Sequence, residues 1–569
     1  MELWLTNPLE DVFRTDKKPN LGYYNRIPDP EIHMARNARE SLQLAVCCEE
    51  IPMSDVTLEI EQTSGKTPNG VSFDVGGVRY IHNSSNSVNI GSKVIRAKLP
   101  GELPQCIDPR PAFIEYRQTR SFFITANTEK NALPGEYTYK IHIKYGVGRL
   151  KKPETAEYDF KVTVYDVCLP DPEKSEYNHV TWLNACGYSP ERDYERMVEC
   201  NAKTYGIETF SDDWFRLLEN YAAQLRRERI NIVTVPLYPL LQRDVSFGAH
   251  GEYIFDFTLL DRYLDTFLSH GSVKYFCGFH LMAKVGVMLG ENPEETPHPI
   301  ACAVFDKEHT YKDFKWLYMN DENAWRHLEM LISGLYAHLK ARGLENRWLQ
   351  HVADEVAGEE AFDAIKRAYR LVHKLAPEFK TIDATWEDSL EKYGELLNIH
   401  VPQIDIHDKN EEAYAAAHNM DNIDVWTYTC LKPQFNYLSR LDDWKLIGTR
   451  LIHWYNFKNG LNGYLHWSWN LWFYGDPWRD GCTAGWPLDG WVVFPDTENL
   501  NVFESIRQRE NASGIEDLEL LKICDKKDHE KTMSLVSAII ERANDYTTDS
   551  GVFFRVRRQL LELASGAAK

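Results

Sequence analysis

Two acidic residues stand side by side in a segment that suggests chemistry. The segment reads HVADEVAGEE and begins at residue 351, so the pair is Asp354 and Glu355. An apolar, strand-like run precedes the pair, and an amphipathic helical pattern with Phe362 and Ile365 in its apolar stripe follows it. Adjacent carboxylates repel each other. Most Asp-Glu steps before a helix cap that helix or are simply solvated, so the position of this pair in the fold must decide whether it is functional.

Strand-like and helical segments alternate through the middle of the chain. The strand candidates are 179–187, 230–239, 274–281, 347–355, 379–386, 400–407, 423–430 and 463–472. A typical helical pattern between them begins at Asp321 and ends at Gly343. Eight such units predict a (β/α)8 barrel of the TIM type, although a doubly wound sheet produces a similar alternation.

The N-terminal part has a different pattern. Short β-rich runs between about residues 38 and 168 alternate apolar with polar residues, and Pro134-Gly135 provides a turn before one of them. These runs predict an antiparallel β-sandwich over 1–170. The proline-containing segment 168–177 separates it from the barrel, predicted over 171–500, and helical patterns predict a C-terminal extension over 501–569 that completes the barrel or packs on it.

In this fold the acidic pair ends the fourth barrel strand, predicted over Arg347–Ala353. Barrel enzymes build their active sites at that edge, from strand ends and the loops that follow them. Further polar and aromatic residues fall at the predicted strand ends: Asn184, Tyr188, Tyr238, His280, Trp386, Tyr428, Trp467, Trp469 and Asn470. Together they predict a concave polar and aromatic site.

Tryptophan is concentrated near the end of the predicted barrel. Seven of the 16 tryptophans lie between Trp454 and Trp491. Their flat faces suit the C–H faces of sugar rings, but tryptophan is also a large core residue, so pocket and core are equally good interpretations of this cluster.

Composition excludes several classes of partner. The formal net charge of -21 argues against nucleic acid and anionic lipid, and no apolar run is long enough to span a membrane. No signal peptide is visible, which predicts a cytoplasmic protein. The cluster from Asp405 to Asp408 could bind a metal, but a hydrogen-bond network explains it better; we predict no metal and no cofactor. Either a monomer or a homodimer is compatible with the acidic surface.

Three features together resemble a known family. The Asp-Glu pair, the LHWSWN run at 465–470 and the RENASGIEDLELL segment at 509–521 are similar to the β-N-acetylgalactosaminidases of glycoside hydrolase family 123. The resemblance implies a sandwich followed by a barrel, and a carbohydrate substrate with a terminal β-linked N-acetylhexosamine. It also implies retaining, substrate-assisted hydrolysis, in which Asp354 orients the 2-acetamido group and Glu355 is the general acid and base.

Other roles follow from strand position alone. We expect Tyr428, Trp467 and Trp469 to form walls of the pocket. Asn184, His280 and Asn470 are expected to contact hydroxyl or acetamide groups, and Tyr238 and Trp386 complete the predicted substrate-binding set.

Three alternatives remain open. A hexosaminidase of gluco preference and an endo-acting enzyme share the predicted mechanism. A barrel that binds carbohydrate without catalysis would keep the aromatic residues and lack turnover.

Overall fold

The structure, a computed structural model, contains two facing β-sheets followed by a parallel, nearly closed barrel. It describes residues 1–18, 31–87, 93–148, 152–186, 199–242, 246–286, 290–304, 315–355, 358–472, 475–482 and 489–566. None of the helices in these ranges is long and apolar enough to cross a membrane.

Ten strands form the two N-terminal sheets. They are β1 (Glu2–Thr6), β2 (Ile32–Arg36), β3 (Arg39–Cys47), β4 (Met53–Ser64), β5 (Val71–Asn83), β6 (Gly101–Asp108), β7 (Ala112–Ile114), β8 (Thr119–Thr128), β9 (Gly135–Val147) and β10 (Lys152–Cys168). One sheet has the order β1-β3-β8-β5-β6, and the other has the order β2-β10-β9-β4-β7. Strands β2 and β10 pair in parallel, and the other described pairs are antiparallel.

The two sheets share an apolar core. Alternate residues of β9 are buried, as expected for a strand with one face on a core. Phe73 of one sheet contacts Tyr139 and Phe160 of the other, with ring centroids 4.7 Å and 5.7 Å apart. This is the arrangement that the alternating sequence pattern predicts.

The remaining strands form the barrel, its insertions and two hairpins in the C-terminal part of the chain. They are β11 (Asn178–Thr181), β12 (Ile232–Val235), β13 (Ser246–Phe247), β14 (Tyr253–Ile254), β15 (Tyr275–Gly278), β16 (Ala283–Lys284), β17 (Ile300–Val304), β18 (Lys315–Tyr318), β19 (Trp348–Gln350), β20 (Lys380–Thr385), β21 (Ile399–Pro402), β22 (Asp424–Val425), β23 (Thr427–Thr429), β24 (Gly463–His466), β25 (Val493–Asp496), β26 (Asn501–Glu504), β27 (Ile540–Arg542) and β28 (Asp545–Tyr546). The nine barrel strands have the order β22-β21-β20-β19-β15-β12-β11-β24-β23.

Thirteen α-helices occur in the described ranges. They are α1 (Cys200–Tyr205), α2 (Asp212–Arg227), α3 (Leu237–Gln242), α4 (Thr258–Ser269), α5 (Glu322–Ala341), α6 (Glu359–Leu375), α7 (Ser389–Tyr393), α8 (Ile404–Lys409), α9 (Glu411–His418), α10 (Leu446–Lys458), α11 (Ile506–Lys527), α12 (His529–Ser537) and α13 (Ser550–Ser565). Helix α5 has the predicted boundaries: the Asp321 side chain caps its first turn, and Gly343 follows its end with φ 68°.

The two edge strands of the barrel sheet, β22 and β23, are consecutive in the chain. They must therefore lie close together, and the sheet curls into a nearly closed barrel. Strands β22 and β23 are separated by Trp426 alone, and a parallel bridge between Gln403 and Tyr428 links β23 with the end of β21. Apolar side chains from successive strands form a cluster of their own, which includes Val180, Ile232 and Leu349. A parallel barrel therefore follows the N-terminal sheets, in the predicted order.

Two additions extend the barrel. Strands β16, β17 and β18 form a small antiparallel sheet inserted between β15 and α5. Helix α11 is buried along most of its length, and Arg450 of α10 bonds to Glu40 of β3 and to Asp517 of α11. These ion pairs connect the N-terminal sheets, the barrel and the C-terminal helices. The predicted domain limits at residues 170 and 500 remain predictions.

Candidate active site

The acidic pair lies at the carboxyl-terminal edge of the barrel, directly after β19. The strand ends at Gln350 and not at the predicted Ala353. The physical reason is a change of hydrogen-bond partner. The backbone amides of Val352 and Ala353 donate to the side chain of Asp383, at 3.3 Å and 3.5 Å, and not to a neighbouring strand.

The backbone turns sharply at the second member of the pair. Glu355 has φ 43°, in the left-handed region, where a residue with a side chain costs roughly 1–2 kcal/mol. A straight strand would send Asp354 and Glu355 to opposite faces. Both carboxylates are half-buried, and the charge of Asp354 acts directly on Glu355. Backbone strain of this kind is often found at functional sites.

The surroundings of Asp354 include a cation. Lys284, at the end of β16, places its Nζ 3.9 Å from Asp354 Oδ2 and 3.4 Å from the Glu355 carbonyl oxygen. Burial raises the pKa of Asp354, the positive charge of Lys284 opposes this shift, and the charge of Asp383 adds to it. Lys284 therefore favours the ionised form of Asp354.

The pKa of Glu355 is raised as well. Burial raises the pKa of Glu355, and the negative charge of Asp354 raises it further. The Tyr428 hydroxyl donates a hydrogen bond of 2.6 Å to Glu355 Oε1, which opposes the shift. Lys284 acts on both carboxylates, but its ion pair is with Asp354, whereas the tyrosine hydroxyl bonds to Glu355.

A buried ion pair lies beneath the acidic pair. His351 Nδ1 donates to Asp383 Oδ1 at 2.8 Å, and the Tyr369 hydroxyl donates to Asp383 Oδ2. Burial alone lowers the pKa of His351, but Cys277 and Asp383 outweigh it and raise the pKa to about 10. Asp383 therefore fixes both the imidazole and the backbone amides that immediately precede the pair.

One group of described residues has the composition of a metal site. His280, His351 and Asp383 each offer a ligand atom, and these atoms lie within 4.8 Å of one another. Asp383, however, already accepts hydrogen bonds from His351, Tyr369 and the two amides of the loop. The protein's own donors occupy this carboxylate, so the group fits an anchor for the loop better than a metal centre.

Most of the barrel region matches a known protein family. The family model "Glycoside hydrolase 123, catalytic domain" matches residues 197–524, which is more than half of the chain. The chain belongs to glycoside hydrolase family 123. It is therefore a glycosidase that acts on carbohydrate, and the family resemblance drawn from the sequence is confirmed.

Solved structures agree with this assignment. A family 123 glycoside hydrolase from Clostridium perfringens, described for glycolipid glycan hydrolysis, matches with a TM-score of 0.72 at 13% identity, over 100% of this chain and 99% of that one. At this identity the likeness shows a shared fold.

Two other structures are much less similar. A termite-gut family 10 xylanase with an Ig-like domain has a TM-score of 0.34 at 9% identity, over 87% of this chain and 100% of that one. A β-xylosidase from Caulobacter crescentus has a TM-score of 0.36 at 10% identity, over 60% and 69%. No curated protein matches the sequence.

In this family 123 hydrolase, three predicted binding residues lie at the barrel edge. Tyr428 reaches Glu355 through its hydroxyl. Trp386, directly after β20, is exposed and shares a cleft with Glu355. Trp467 is half-buried, and its indole N–H donates to Asp489 at 2.8 Å.

Three predicted contacts lie deeper. His280 is buried, with its ring centroid 5.1 Å from that of His351. Asn184 and Asn470 are both buried, and the backbone N–H of Asn184 donates to Asn470 Oδ1 at 2.8 Å. The Asn470 side chain therefore links the segments that follow β11 and β24. In this structure all three support the barrel edge and offer no surface to a substrate.

The two remaining assignments need correction. Trp469 is fully buried, packs on Tyr221 at 5.1 Å and donates from its indole to Glu228 at 2.8 Å. Tyr238 is buried in α3, and its hydroxyl donates to the Leu281 carbonyl at 3.0 Å. Both are core residues and not walls of a pocket, since their polar atoms are satisfied inside the protein. Tyr188 lies outside the described residues.

Residue-type reasoning missed Lys284, His351 and Asp383. His351 stands in the same sequence segment as the acidic pair, and Asp383 is a carboxylate between two apolar residues of a predicted barrel strand, where a charged residue is uncommon. Lys284 carries no comparable signal, because it lies in an insertion whose path the sequence does not specify.

Proposed function

We propose that this chain is a retaining exo-β-N-acetylgalactosaminidase. It would remove terminal β-linked N-acetylgalactosamine from glycans or glycolipid oligosaccharides through an oxazolinium intermediate. The observation that supports this reaction is the asymmetry of the acidic pair: Lys284 lies beside Asp354, and burial with the charge of Asp354 favours protonation of Glu355. The Clostridium relative, described for glycolipid glycan hydrolysis, supports the substrate class.

The first step needs one ionised and one protonated carboxylate. Asp354, whose ionised form Lys284 favours, accepts the N–H of the substrate's 2-acetamido group and stabilises positive charge on that nitrogen. The acetamido oxygen attacks the anomeric carbon, while Glu355 donates its proton to the departing glycosidic oxygen. The nucleophile belongs to the substrate, so the protein supplies orientation and a proton.

The second step reverses the role of Glu355. As a carboxylate it accepts a proton from water, which attacks the anomeric carbon and opens the oxazolinium ring. The product keeps the β configuration, because each of the two displacements inverts it once. Tyr428, which donates to Glu355 Oε1, can stabilise this carboxylate between the steps.

We also propose that the barrel is a (β/α)8 barrel. Strands β22 and β23 then form one strand interrupted at Trp426, and eight parallel strands make up the ring. Active sites of such barrels lie at the carboxyl ends of the strands, and the acidic pair follows the end of β19.

The experiment compares initial rates on matched aryl β-N-acetylgalactosaminide and β-N-acetylglucosaminide. Asp354→Asn and Glu355→Gln should each lose at least about 100-fold in kcat with little loss of fold. Glu355→Gln should keep part of its activity on substrates with very good leaving groups, because these need little protonation by the acid. Glu359→Gln is the matched control, since Glu359 is an exposed carboxylate of the same segment, in the first turn of α6.

Three outcomes separate the alternatives. A thiazoline analogue of the sugar should inhibit strongly, and efficient cleavage of a plain β-galactoside would contradict the mechanism and indicate a protein nucleophile. A preference for the gluco substrate would correct the sugar and leave the mechanism intact. Binding of oligosaccharide without turnover, unchanged in Glu355→Gln, would identify a non-catalytic barrel.

A further inference from the structure

Trp386 is unusually exposed for its residue type. It follows β20 at the same edge of the barrel as the acidic pair, and 44% of its surface is accessible. It is the one exposed tryptophan among the residues that the structure describes. Large aromatic side chains usually bury most of their surface, so an indole left open beside an active site is a candidate for ligand contact.

The exposed indole and the proposed acid share one small cleft. Glu355 and Trp386 line it together with Phe362 and Tyr393, and it is narrow, with a volume of about 10 Å³, so a ligand would lie over the open face of the indole and not inside the cleft. A polar edge is present as well, because Lys392 lines the cleft and pairs with Glu387. An apolar ring face with charged groups at its rim suits a sugar, which has C–H faces and a hydroxyl perimeter.

Lys284 and Trp386 lie on opposite sides of the acidic pair, and this arrangement indicates how a substrate would be oriented at the cleft. Lys284, in the insertion after β15, contacts Asp354, whereas Trp386 follows β20 on the Glu355 side. Strand β19, which carries the pair, lies between β15 and β20 in the sheet. The acetamido group binds at Asp354 in the proposed reaction, and the leaving oxygen lies at Glu355. The group attached to that oxygen must therefore extend on the side of Trp386.

We propose that Trp386 is the stacking surface of a leaving-group subsite, and that its ligand is the pyranose ring to which the terminal sugar is linked. This inference rests on the proposed function and deepens it. The indole covers one apolar face of that ring, and the Lys392 and Glu387 side chains are within reach of its hydroxyl groups at the rim of the cleft. Trp386 then contributes to the choice of leaving group, while the acidic pair recognises the terminal sugar.

The experiment uses two substrates with the same terminal sugar and different leaving groups. One is an oligosaccharide in which the sugar is linked to lactose, and the other is the β-azide, whose leaving group has no ring. Trp386→Ala should lower kcat/KM about fivefold on the oligosaccharide, since aromatic stacking beyond burial contributes about 1 kcal/mol and 1.4 kcal/mol corresponds to tenfold. On the azide the change should stay within about twofold. Trp386→Phe should recover part of the loss.

Tyr116→Ala is the matched control, because Tyr116 is an aromatic residue of similar exposure in the N-terminal part of the chain. Circular dichroism of each variant checks the fold. Equal losses on both substrates in Trp386→Ala and Trp386→Phe, or no loss on either, would overturn the subsite while the proposed reaction stands. Failure of the wild-type protein to hydrolyse either substrate would overturn the reaction and the subsite together.

Discussion

Removal of the positive charge beside Asp354 should change the pH dependence of catalysis. In Lys284→Met the favourable interaction with Asp354 is lost, so the pKa of Asp354 rises and its proton is retained to higher pH. The proposed mechanism needs Asp354 ionised. The acid limb of the kcat/KM profile should therefore move to higher pH, with a large loss at acidic pH and a small loss near the optimum.

The magnitude follows from the geometry. Two unit charges 3.9 Å apart interact by about 4 kcal/mol at an effective dielectric constant of about 20. Both side chains are about a quarter exposed, at 22% and 25%, and solvent screening reduces the interaction to roughly 1–2 kcal/mol. Since 1.36 kcal/mol corresponds to one tenfold step, we expect about a tenfold loss of kcat/KM on the acid limb.

The assay is a pH–rate profile on an aryl β-N-acetylgalactosaminide. Lys284→Arg keeps the charge and should restore most of the acid limb. Lys380→Met is the control, because Lys380 is an exposed lysine at the opposite end of β20. An unchanged acid limb in Lys284→Met, or a loss of equal size at every pH, would refute the electrostatic role and leave Lys284 as a structural residue.

Two further predictions concern a hydrogen bond and a buried acid. Tyr428→Phe removes the bond that lowers the pKa of Glu355, so the basic limb of the kcat/KM profile should move to higher pH; a shift to lower pH would contradict the assigned contact. Burial, with the charge of Glu504, raises the pKa of Glu228 from 4.5 to about 7. The folded chain then binds this proton more tightly than the unfolded chain, so this group lowers the free energy of unfolding as pH rises from about 4.5 to 7. In the wild type the melting temperature should fall between about pH 5 and 7, and in Glu228→Gln this fall should be smaller. A fall of the same size in both proteins would show that Glu228 does not titrate in this range.

Local patterns were sufficient for the larger features of this fold. The period of two in β9 and the period of 3.6 in α5 depend on residues close together in the chain, and so does the cap at Asp321. The acidic pair could be assigned to a strand end for the same reason. A turn from an apolar strand into an amphipathic helix is visible within about 20 residues of sequence.

The environment of the pair is set by residues far away in the chain. Lys284 arrives from an inserted sheet, and Asp383 arrives from the next barrel strand. The sequence does not show that either residue pairs with this segment, because each contact depends on how separate elements pack. These contacts between distant segments decide which carboxylate of the pair is ionised.

Trp467 and Trp469 show most clearly where prediction from strand alternation fails. Strand alternation would place them on the same face, and both were expected to form walls of the pocket. Strand β24 ends at His466, so alternation no longer applies to either residue. Trp467 bonds to Asp489 at the barrel edge, and Trp469 is held in the core by Glu228. The sequence by itself determined the order of the elements and the position of the acidic pair. Tertiary structure alone decided which aromatic rings are exposed and which carboxylate has the cation, because both depend on contacts between distant segments.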